Sequence, residues 1–364
     1  MKILQLNSEK SWRGGEQQMA YLAVELKKRG INSSLAFTNK NERLDQFSKE
    51  NQFEYFTLPF GGLQILASFK LLLWLKKNKV SLIHTHTAKA HTVAVWANIL
   101  GANTPVIVSK RTDFKVKSPY KFNHNCVKAI LCVSKMIEKI TRQGIQVNKR
   151  ELVQTVHSGV DIHRFDSVTQ ISLKEKYQIP KDKILIGNCS AIADHKDYGT
   201  FIDTAKILND RFPEKFHFII IGDGPDRDKI ESYCESKKLL DKFTFTGFLT
   251  DLENQLKSLD IFLMSSKEEG LGTSLLDAMI CEIPIVSTSA GGIPEIVIHE
   301  KTGLLANVKD PDMLADNILR LTNDSELKEK LVASAKLQVI NEYSKEHTCK
   351  KTLSVYNQVL SDID

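Results

Sequence analysis

The amino-acid sequence predicts an α/β protein of two doubly wound domains, each a parallel sheet with helices on both faces. The length of 364 residues, 42% of them hydrophobic, allows two separate cores. Short β-branched runs alternate with helical stretches of about 10 to 15 residues, a pattern typical of parallel sheets. The pattern occurs in both halves of the chain, so two domains are expected.

Seven strands are predicted in the first half and six in the second. Each is a short apolar run that ends in polar or glycine-containing residues. In the first half the strands are expected at residues 3–6, 33–37, 55–58, 80–84, 106–108, 130–133 and 152–156. In the second half they are expected at residues 184–189, 216–221, 243–246, 261–264, 285–287 and 304–306.

The polar, glycine-containing run at residues 157–165 predicts the linker between the domains. The expected domains are residues 1–165 and 166–330. The last segment, residues 331–364, is helical in pattern and has no strand to pair with. We expect it to cross back over the first domain.

A loop between a strand and a helix in the second half, residues 265–279, is the richest in polar groups. Gly270 and Gly272 allow the backbone to approach a ligand, and the free amides that start the next helix favour a phosphate. Glu269 and Asp277 lie eight residues apart, and their carboxylates could accept hydrogen bonds from vicinal hydroxyls. An ordinary helix start with surface acids is the alternative.

Lys196 follows the strand at residues 184–189 and so belongs to the same edge of the second sheet. Ligands of open α/β sheets bind beyond the carboxyl ends of the strands. An ammonium group at this position could neutralise a pyrophosphate. A solvated surface lysine is the alternative.

In the first half, Gly14 and Gly15 join the first strand to a helix that is expected to run to about Lys28. The loop is not a GxGxxG motif, and no acid closes the second strand, which argues against a nicotinamide site.

Three histidines cluster near a strand end of the first half, and one of them, His86, could face the ligand. A structural role is the alternative, and a metal site would need more ligands. The cluster comprises His84, His86 and His91.

The six cysteines show neither CxxC pairs nor zinc-site spacing, which indicates buried free thiols. No apolar run has the length of a secretory signal or a membrane span. We therefore expect a cytoplasmic protein, at most bound to a membrane surface.

Taken together, these motifs resemble glycosyltransferase family 4, the retaining GT-B enzymes, over nearly the whole chain. Glu269 and Asp277 match the family's E-x7-E element within the run SSKEEGLGTSLLDAM, followed by IPIVSTSAGGIPEIV and KTGLLA. Further matches are the GGEQQ loop, VHSGVDIHRF, IIIGDGP and FTFTG. Each match alone is weak, but their shared order and spacing are specific.

The resemblance implies a GT-B fold with a deep cleft between two facing domains. It implies metal-independent transfer, with retention, of a sugar from a nucleoside diphosphate sugar to an acceptor hydroxyl. Glu269 would contact the transferred sugar, Asp277 the ribose and Lys196 the diphosphate, with Gly14 and Gly15 approaching the diphosphate from the first domain. The other implied donor contacts are Gly247, Phe248, Gly270, Gly272, Thr273 and Ser274. His86, with Glu269 and Lys196, would complete the catalytic groups.

The sequence departs from the family pattern at three positions. Asp277 replaces the second glutamate, and Ala191 replaces an arginine that usually lies five residues before the phosphate-binding lysine. Arg111 stands where many members have a histidine, and it could bind an anionic group. With His86, it forms the expected acceptor contacts.

The charge is divided unevenly along the chain. Residues 1–160 carry 25 basic and 10 acidic side chains, whereas the remainder carries 25 and 34. The excess of basic side chains in residues 1–160 predicts an anionic acceptor for this half, such as a lipid-linked saccharide in cell-envelope glycan assembly. It also predicts contact with an anionic membrane. A generally basic surface is the alternative. The loop expected to meet the lipid contains Lys110, Arg111, Lys115, Lys117 and Lys121.

Three other functions are alternatives. A nucleotide-sugar epimerase of the same architecture would need no acceptor. A non-catalytic sugar-nucleotide or glycan binding protein would have less use for Glu269, Lys196 and the glycine loops together. Nucleic-acid binding is disfavoured because the basic residues lack the aromatic spacing of known modules.

Overall fold

The computed structural model describes residues 1–61, 64–116, 118–166, 171–249 and 252–362. Contacts divide the chain into two compact units. The first contains Met1–Gly159 and Lys345–Asp364, and the second contains Val160–Ser344. The expected division at residues 165 and 330 is therefore misplaced, because residues 331–344 pack within the second unit.

Each unit contains one sheet in which all strands are parallel. The order in the first unit is β3-β2-β1-β4-β5-β6-β7, and in the second it is β10-β9-β8-β11-β12-β13. The strands of the first unit are β1 (Lys2–Leu6), β2 (Asn32–Thr38), β3 (Glu54–Leu58), β4 (Leu82–Thr85), β5 (Val106–Lys110), β6 (Val127–Cys132) and β7 (Val153–Thr155). Those of the second are β8 (Ile184–Cys189), β9 (Phe216–Ile221), β10 (Phe243–Gly247), β11 (Ile261–Met264), β12 (Ile285–Thr288) and β13 (Leu304–Ala306).

Helices connect nearly all consecutive strands, as parallel pairing requires. Those that precede β8 are α1 (Gly14–Lys28), α2 (Glu42–Glu50), α3 (Gln64–Lys77), α4 (Ala88–Ile99), α5 (Pro119–Asn123), α6 (Lys135–Gln143) and α7 (Leu173–Lys176). Those that follow it are α8 (Tyr198–Arg211), α9 (Arg227–Ser236), α10 (Leu252–Gln255), α11 (Thr273–Ile280), α12 (Ile293–Ile296), α13 (Pro311–Asn323), α14 (Ser325–Glu342) and α15 (Lys345–Ser361).

All thirteen predicted strands are present, so the two-sheet α/β prediction is confirmed. Two strand starts differ from the prediction by two and three residues. The strand expected from residue 80 begins at Leu82, where pairing with Ile3 of β1 starts. The strand expected from residue 130 begins at Val127, where pairing with Val106 starts.

The last helix belongs to the core of the first unit. Cys349, Val355, Tyr356 and Val359 of α15 are buried in one cluster with residues of α1 and the sheet, among them Leu26. The expected helical segment 331–364 is therefore two helices, because α14 ends at Glu342 and packs against α11 of the second unit.

Candidate functional site

In the second unit the strand order reverses between β8 and β11, which lie side by side. Loops that leave neighbouring strands here turn to opposite faces and open a crevice, where ligands of such sheets bind. Lys196 lies in the loop after β8 and Glu269 in the loop after β11. The fold thus places both predicted residues at the point that favours ligand binding.

Lys196 Nζ and Glu269 Oε1 form an ion pair, although the two residues are 73 positions apart. Their side chains are only 14% and 12% exposed. His195 O accepts the Lys267 amide (2.9 Å), which fastens the two loops to each other. The predicted lysine and glutamate are therefore neighbours, and the surface-lysine alternative does not hold.

Glycines hold the backbone of Glu269 in place. The Gly292 amide donates to Glu269 O (3.0 Å), and Gly291 has φ +54°. A Cβ atom on Gly291 would lie 2.0 Å from Glu269 O. Only glycine fits at this contact, so the second glycine-rich turn supports the carboxylate loop directly.

The start of α11 completes this edge of the sheet. Gly272 is the N-cap of the helix, with φ +87°, and Thr273 and Ser274 form its first turn. Amides of a first helical turn lack intrahelical acceptors and carry partial positive charge. With Gly270 in the preceding turn, these residues form a surface suited to an anion.

Asp277 lies one turn into α11 and is mostly buried, with 18% of its side chain exposed. Burial raises its pKa to about 6. Arg164 Nη1 lies 3.6 Å from Asp277 Oδ1, and Arg164 Nε donates to Glu253 Oε1 (2.6 Å). Neither Arg164 nor Glu253 is predicted from the sequence as a site residue, although Arg164 is part of the VHSGVDIHRF motif.

Gly247 ends β10 and Phe248 follows it, next to the turn that follows β9. The Gly222 amide donates to Gly247 O (3.0 Å), and Gly247 has φ +70°. Phe248 is 67% exposed. Both therefore lie at the same edge of the sheet as Lys196 and Glu269.

In the first unit, the order reverses between β1 and β4. Gly14 and Gly15 start α1 after β1, His86 follows β4 directly, and Arg111 follows β5. A Cβ atom on Gly15 would lie 3.8 Å from Arg111 Cδ. The predicted residues of the first unit therefore share one edge as well.

His86 is buried, and both it and the neighbouring His84 make side-chain hydrogen bonds. Its Nε2 bonds Gln5 Oε1 (2.7 Å), and because an amide oxygen only accepts, Nε2 carries the proton. Tyr356 of α15 bonds His84 Nδ1 (2.6 Å). Burial lowers the pKa of His86 well below its usual value, so the ring is neutral and Nδ1 is an acceptor. Among the described residues, Nδ1 has no partner.

His91 is not part of this cluster. It lies on α4, where its Nε2 bonds Lys121 O (3.1 Å). Among the residues that the structure describes, no group of three or more histidine, cysteine or acidic side chains could hold a metal ion.

The basic loop expected to meet lipid is turned inward in large part. Lys110 is 9% exposed and donates to Phe114 O (2.9 Å), and Lys121 donates to Ala88 O (3.1 Å). Arg111 is mostly buried, whereas Lys115 is exposed. Lys117 lies outside the described residues. Burial therefore removes Lys110 and Arg111 from the expected docking surface, and carbonyl contacts hold Lys110 in addition.

All six cysteines are free, and four of them are buried. Burial raises the pKa of each, for example to about 11 for Cys132. Within the described ranges, no helix combines the length and apolar character that crossing a membrane requires.

Comparison with known proteins identifies the family. Residues 12–164 match the family model described as Glycosyltransferase Family 4, and residues 169–338 match the one described as Glycosyl transferases group 1. Together the two matches span most of the chain.

Several similar proteins match this chain over most of its length. N-acetyl-alpha-D-glucosaminyl L-malate synthase of Bacillus anthracis is 24% identical over 86% of this chain and 83% of its own. UDP-Gal:alpha-D-GlcNAc-diphosphoundecaprenol alpha-1,3-galactosyltransferase of Escherichia coli is 25% identical over 72% and 71%. The crystal structure of Anabaena Alr3699/HepE in complex with UDP and glucose superposes with a TM-score of 0.83 at 19% identity, covering 98% of this chain and 100% of that one.

The two family matches, the parallel sheets and the structural likeness agree with one another. The chain belongs to glycosyltransferase family 4 and is a glycosyltransferase of the GT-B fold.

Proposed function

We propose that the protein transfers a sugar from a nucleoside diphosphate sugar to an acceptor hydroxyl, with retention at the anomeric carbon. The observation that carries this proposal is the ion pair of Lys196 with Glu269 at the strand-order reversal of the second unit. Both groups are mostly buried and lie at the edge of the sheet where a ligand binds.

The donor would replace contacts that the site now makes with itself. The diphosphate takes Lys196 from Glu269, and its charge is also stabilised by the first-turn amides of α11. The freed Glu269 carboxylate then accepts hydrogen bonds from the transferred sugar. Asp277 accepts from the ribose, after Arg164 shifts toward Glu253.

The lysine and the helix amides stabilise the leaving diphosphate in this proposal, so no metal ion or other cofactor is assigned. An oxygen of the departing diphosphate removes the acceptor proton. His86 contacts the acceptor through Nδ1, its unprotonated nitrogen. This role follows from the hydrogen bond that fixes the proton on Nε2.

We place the reaction in the assembly of a cell-envelope glycan. A similar protein of Escherichia coli is named for galactosyl transfer to a diphosphoundecaprenol-linked sugar, and two others for O-antigen biosynthesis. A similar structure is a lipopolysaccharide outer core galactosyltransferase. The proposed acceptor is therefore a lipid-linked or glycan saccharide.

The test starts with a thermal-shift panel of UDP, GDP, ADP, CDP and their sugars. A ligand at 100 times its Kd should stabilise the protein by about 2.7 kcal/mol. With the donor found, transfer to saccharide acceptors is followed by NMR, which also reads the anomeric configuration. Glu269→Gln should lower kcat about 100-fold, whereas the exposed neighbour Glu268→Gln should leave it unchanged.

Two results would contradict the proposal: no nucleotide that stabilises the protein, or a product of inverted configuration. Conversion of the donor alone into an epimer would instead indicate the isomerase alternative. None of the similar proteins described above is named as an epimerase, and they give that alternative no support.

For the lipid-linked acceptor, we propose that α3 rests on an anionic membrane surface. Its exposed face carries Ile65, Leu66, Phe69 and Leu73, which are 47% to 62% exposed. The helix contains no acidic residue and adds the exposed Lys70, Lys76 and Lys77. An apolar face bordered by lysines fits the boundary between lipid chains and anionic headgroups.

Vesicles test this surface directly. Leu66→Glu and Phe69→Glu together should abolish co-sedimentation with vesicles rich in phosphatidylglycerol, while Leu337→Glu, at a similarly exposed leucine of α14, should not. Added salt should weaken wild-type binding, because each lysine contributes about 1 kcal/mol within a Debye length of ~8 Å. Equal binding by all variants, or none by the wild type, would rule α3 out as the docking surface.

A further inference from the structure

Four buried polar side chains form a connected network beside the strand-order reversal of the first unit. They are Gln5 of β1, His84 of β4, His86 directly after β4, and Tyr356 of α15, and each is at most 4% exposed. Burying a polar group is costly unless hydrogen bonds offset the lost contacts with water. The donors and acceptors of this network therefore determine where its protons lie.

Tyr356 directs the network, because its hydroxyl has one proton to donate. Its oxygen lies 2.6 Å from His84 Nδ1, which is shorter than N–H···O bonds usually are and typical of a hydroxyl donor. The hydroxyl therefore donates to His84, and its oxygen accepts from Gln5 Nε2 over 3.5 Å. Burial and the Arg111 charge lower the pKa of His84 to about 3, so the ring is neutral. Its own proton then lies on Nε2 and is donated to Ser109 Oγ (2.8 Å).

This order of protons fixes the side-chain amide of Gln5. With Nε2 directed at Tyr356, Oε1 faces His86 and accepts from its Nε2 (2.7 Å). If Tyr356 donated to Gln5 instead, the amide would turn over, its nitrogen would donate to His86 Nε2, and the imidazole proton would move to Nδ1. The tautomer of His86 thus depends on the direction in which Tyr356 donates.

Packing provides a second link between Tyr356 and His86. The tyrosine ring meets His84 edge-on, with 5.6 Å between ring centroids and an interplanar angle of 89°. The His84 ring lies against that of His86 at 4.3 Å, and its two nitrogens are both hydrogen-bonded. The ring of His86 is therefore held by His84 on one face and by Gln5 at Nε2.

One nitrogen of the network, His86 Nδ1, has no partner within the described part of the chain. A buried acceptor without a hydrogen bond costs about 1 to 3 kcal/mol. This residue follows the carboxyl end of β4, next to the strand-order reversal where ligands of such sheets bind. A network that only stabilised the core would satisfy this atom as well, so its position indicates an acceptor kept for a ligand.

We propose that Tyr356 is a positioning residue for the acceptor substrate: by directing the Gln5 amide, it keeps the His86 proton on Nε2 and leaves Nδ1 to accept from a substrate hydroxyl. With the proton on Nδ1, the ring would present a donor and lose this contact. The acceptor contact rests on the proposed function, whereas the tautomer is a property of the chain alone.

Nitrogen-15 NMR of the full-length chain, labelled at histidine, measures the tautomers directly, because ring nitrogens with and without a proton resonate far apart. Signals are assigned with His84→Asn and His86→Asn. In the wild type, both histidines should carry the proton on Nε2. Tyr356→Phe keeps the ring that packs on His84 and removes the hydroxyl, so His86 should divide between the two tautomers.

Thr352→Val is the matched control for this experiment. Thr352 is buried about one turn earlier on α15, and its hydroxyl donates to Thr348 O of the same helix (2.9 Å). The variant removes a buried hydroxyl from α15 without touching the network. The tautomer of His86 should therefore stay as in the wild type.

Kinetics test whether the tautomer matters for transfer. Tyr356→Phe should lower kcat/KM for the acceptor up to about tenfold, the value of one hydrogen bond, while KM for the donor is unchanged. In a His86→Asn background, which lacks the imidazole, Tyr356→Phe should cause no further loss, because its effect passes through that ring.

Three results would overturn the proposal: an unchanged His86 tautomer in Tyr356→Phe, a changed tautomer without loss of acceptor kcat/KM, or losses that add in the double variant. A wild-type His86 with its proton on Nδ1 would overturn it as well. Failure to find transfer with any donor contradicts the proposed function instead, and NMR then decides by itself whether Tyr356 sets the tautomer.

Discussion

At the residue scale, the ion pair of Lys196 with Glu269 gives the first prediction. Lys196→Ala should weaken nucleoside diphosphate binding by about 1.5 to 3 kcal/mol, the value of a charge-assisted hydrogen bond. Ala191 offers no second cation nearby. Calorimetry measures the affinity, with the exposed Lys229→Ala of the same unit as control. An unchanged affinity in the first variant would remove Lys196 from the donor site.

Asp277 gives a prediction on pH. Its folded pKa of about 6 lies above the ~3.9 of an unfolded aspartate, so the folded state binds the proton more tightly. Its contribution to stability is therefore fully present below about pH 4 and is lost as the pH rises through 6. For a shift of about two pKa units, the loss is on the order of 3 kcal/mol.

Asp277→Asn should remove this dependence. Relative to wild type, the variant should gain free energy of unfolding as the pH rises from 4 to 7, measured by denaturant titration at each pH. The exposed Asp182→Asn serves as the control. A difference between variant and wild type that stays constant over this range would show that the carboxyl is not perturbed by burial.

At the element scale, the turn before α12 supports the carboxylate loop. Gly291→Ala should cost more stability than Gly30→Ala, because both positions have positive φ but only Gly291 faces a backbone carbonyl. The left-handed conformation alone costs about 1 to 2 kcal/mol. The Gly291 variant must also displace Glu269, so its kcat should fall while that of the Gly30 variant is kept. Thermal unfolding measures the loss of stability, and steady-state kinetics measures the loss of kcat. Equal losses in the Gly291 and Gly30 variants would show that the turn does not support the site.

At the scale of the whole molecule, the proposed chemistry uses side chains and helix amides alone to stabilise the leaving group. We expect transfer activity to survive dialysis against EDTA with kcat unchanged. The assay compares dialysed protein with and without added magnesium or manganese. Full loss on chelation, restored by either ion, would contradict the proposed mechanism.

Much of the architecture is determined by local patterns in the sequence. Strands such as β8 and β11 are short apolar runs bounded by polar residues, and parallel pairing follows from their alternation with helices. Because carboxyl ends of parallel strands share one edge, Lys196 and Glu269 could be assigned to the same side of the second sheet. The glycines at the loop ends are likewise recognisable from sequence, since few other residues allow such turns.

The tertiary structure alone decided which side chains meet. The partners of Asp277 and His86, which are Arg164 and Gln5, are separated from them by dozens of residues, and no local pattern encodes such a contact. Burial likewise could not be predicted: the loop from Lys110 has the composition of a solvated surface, yet its carbonyls bond that lysine. Sequence determines where strands end and which groups they present, whereas desolvation and hydrogen bonding depend on packing between distant segments.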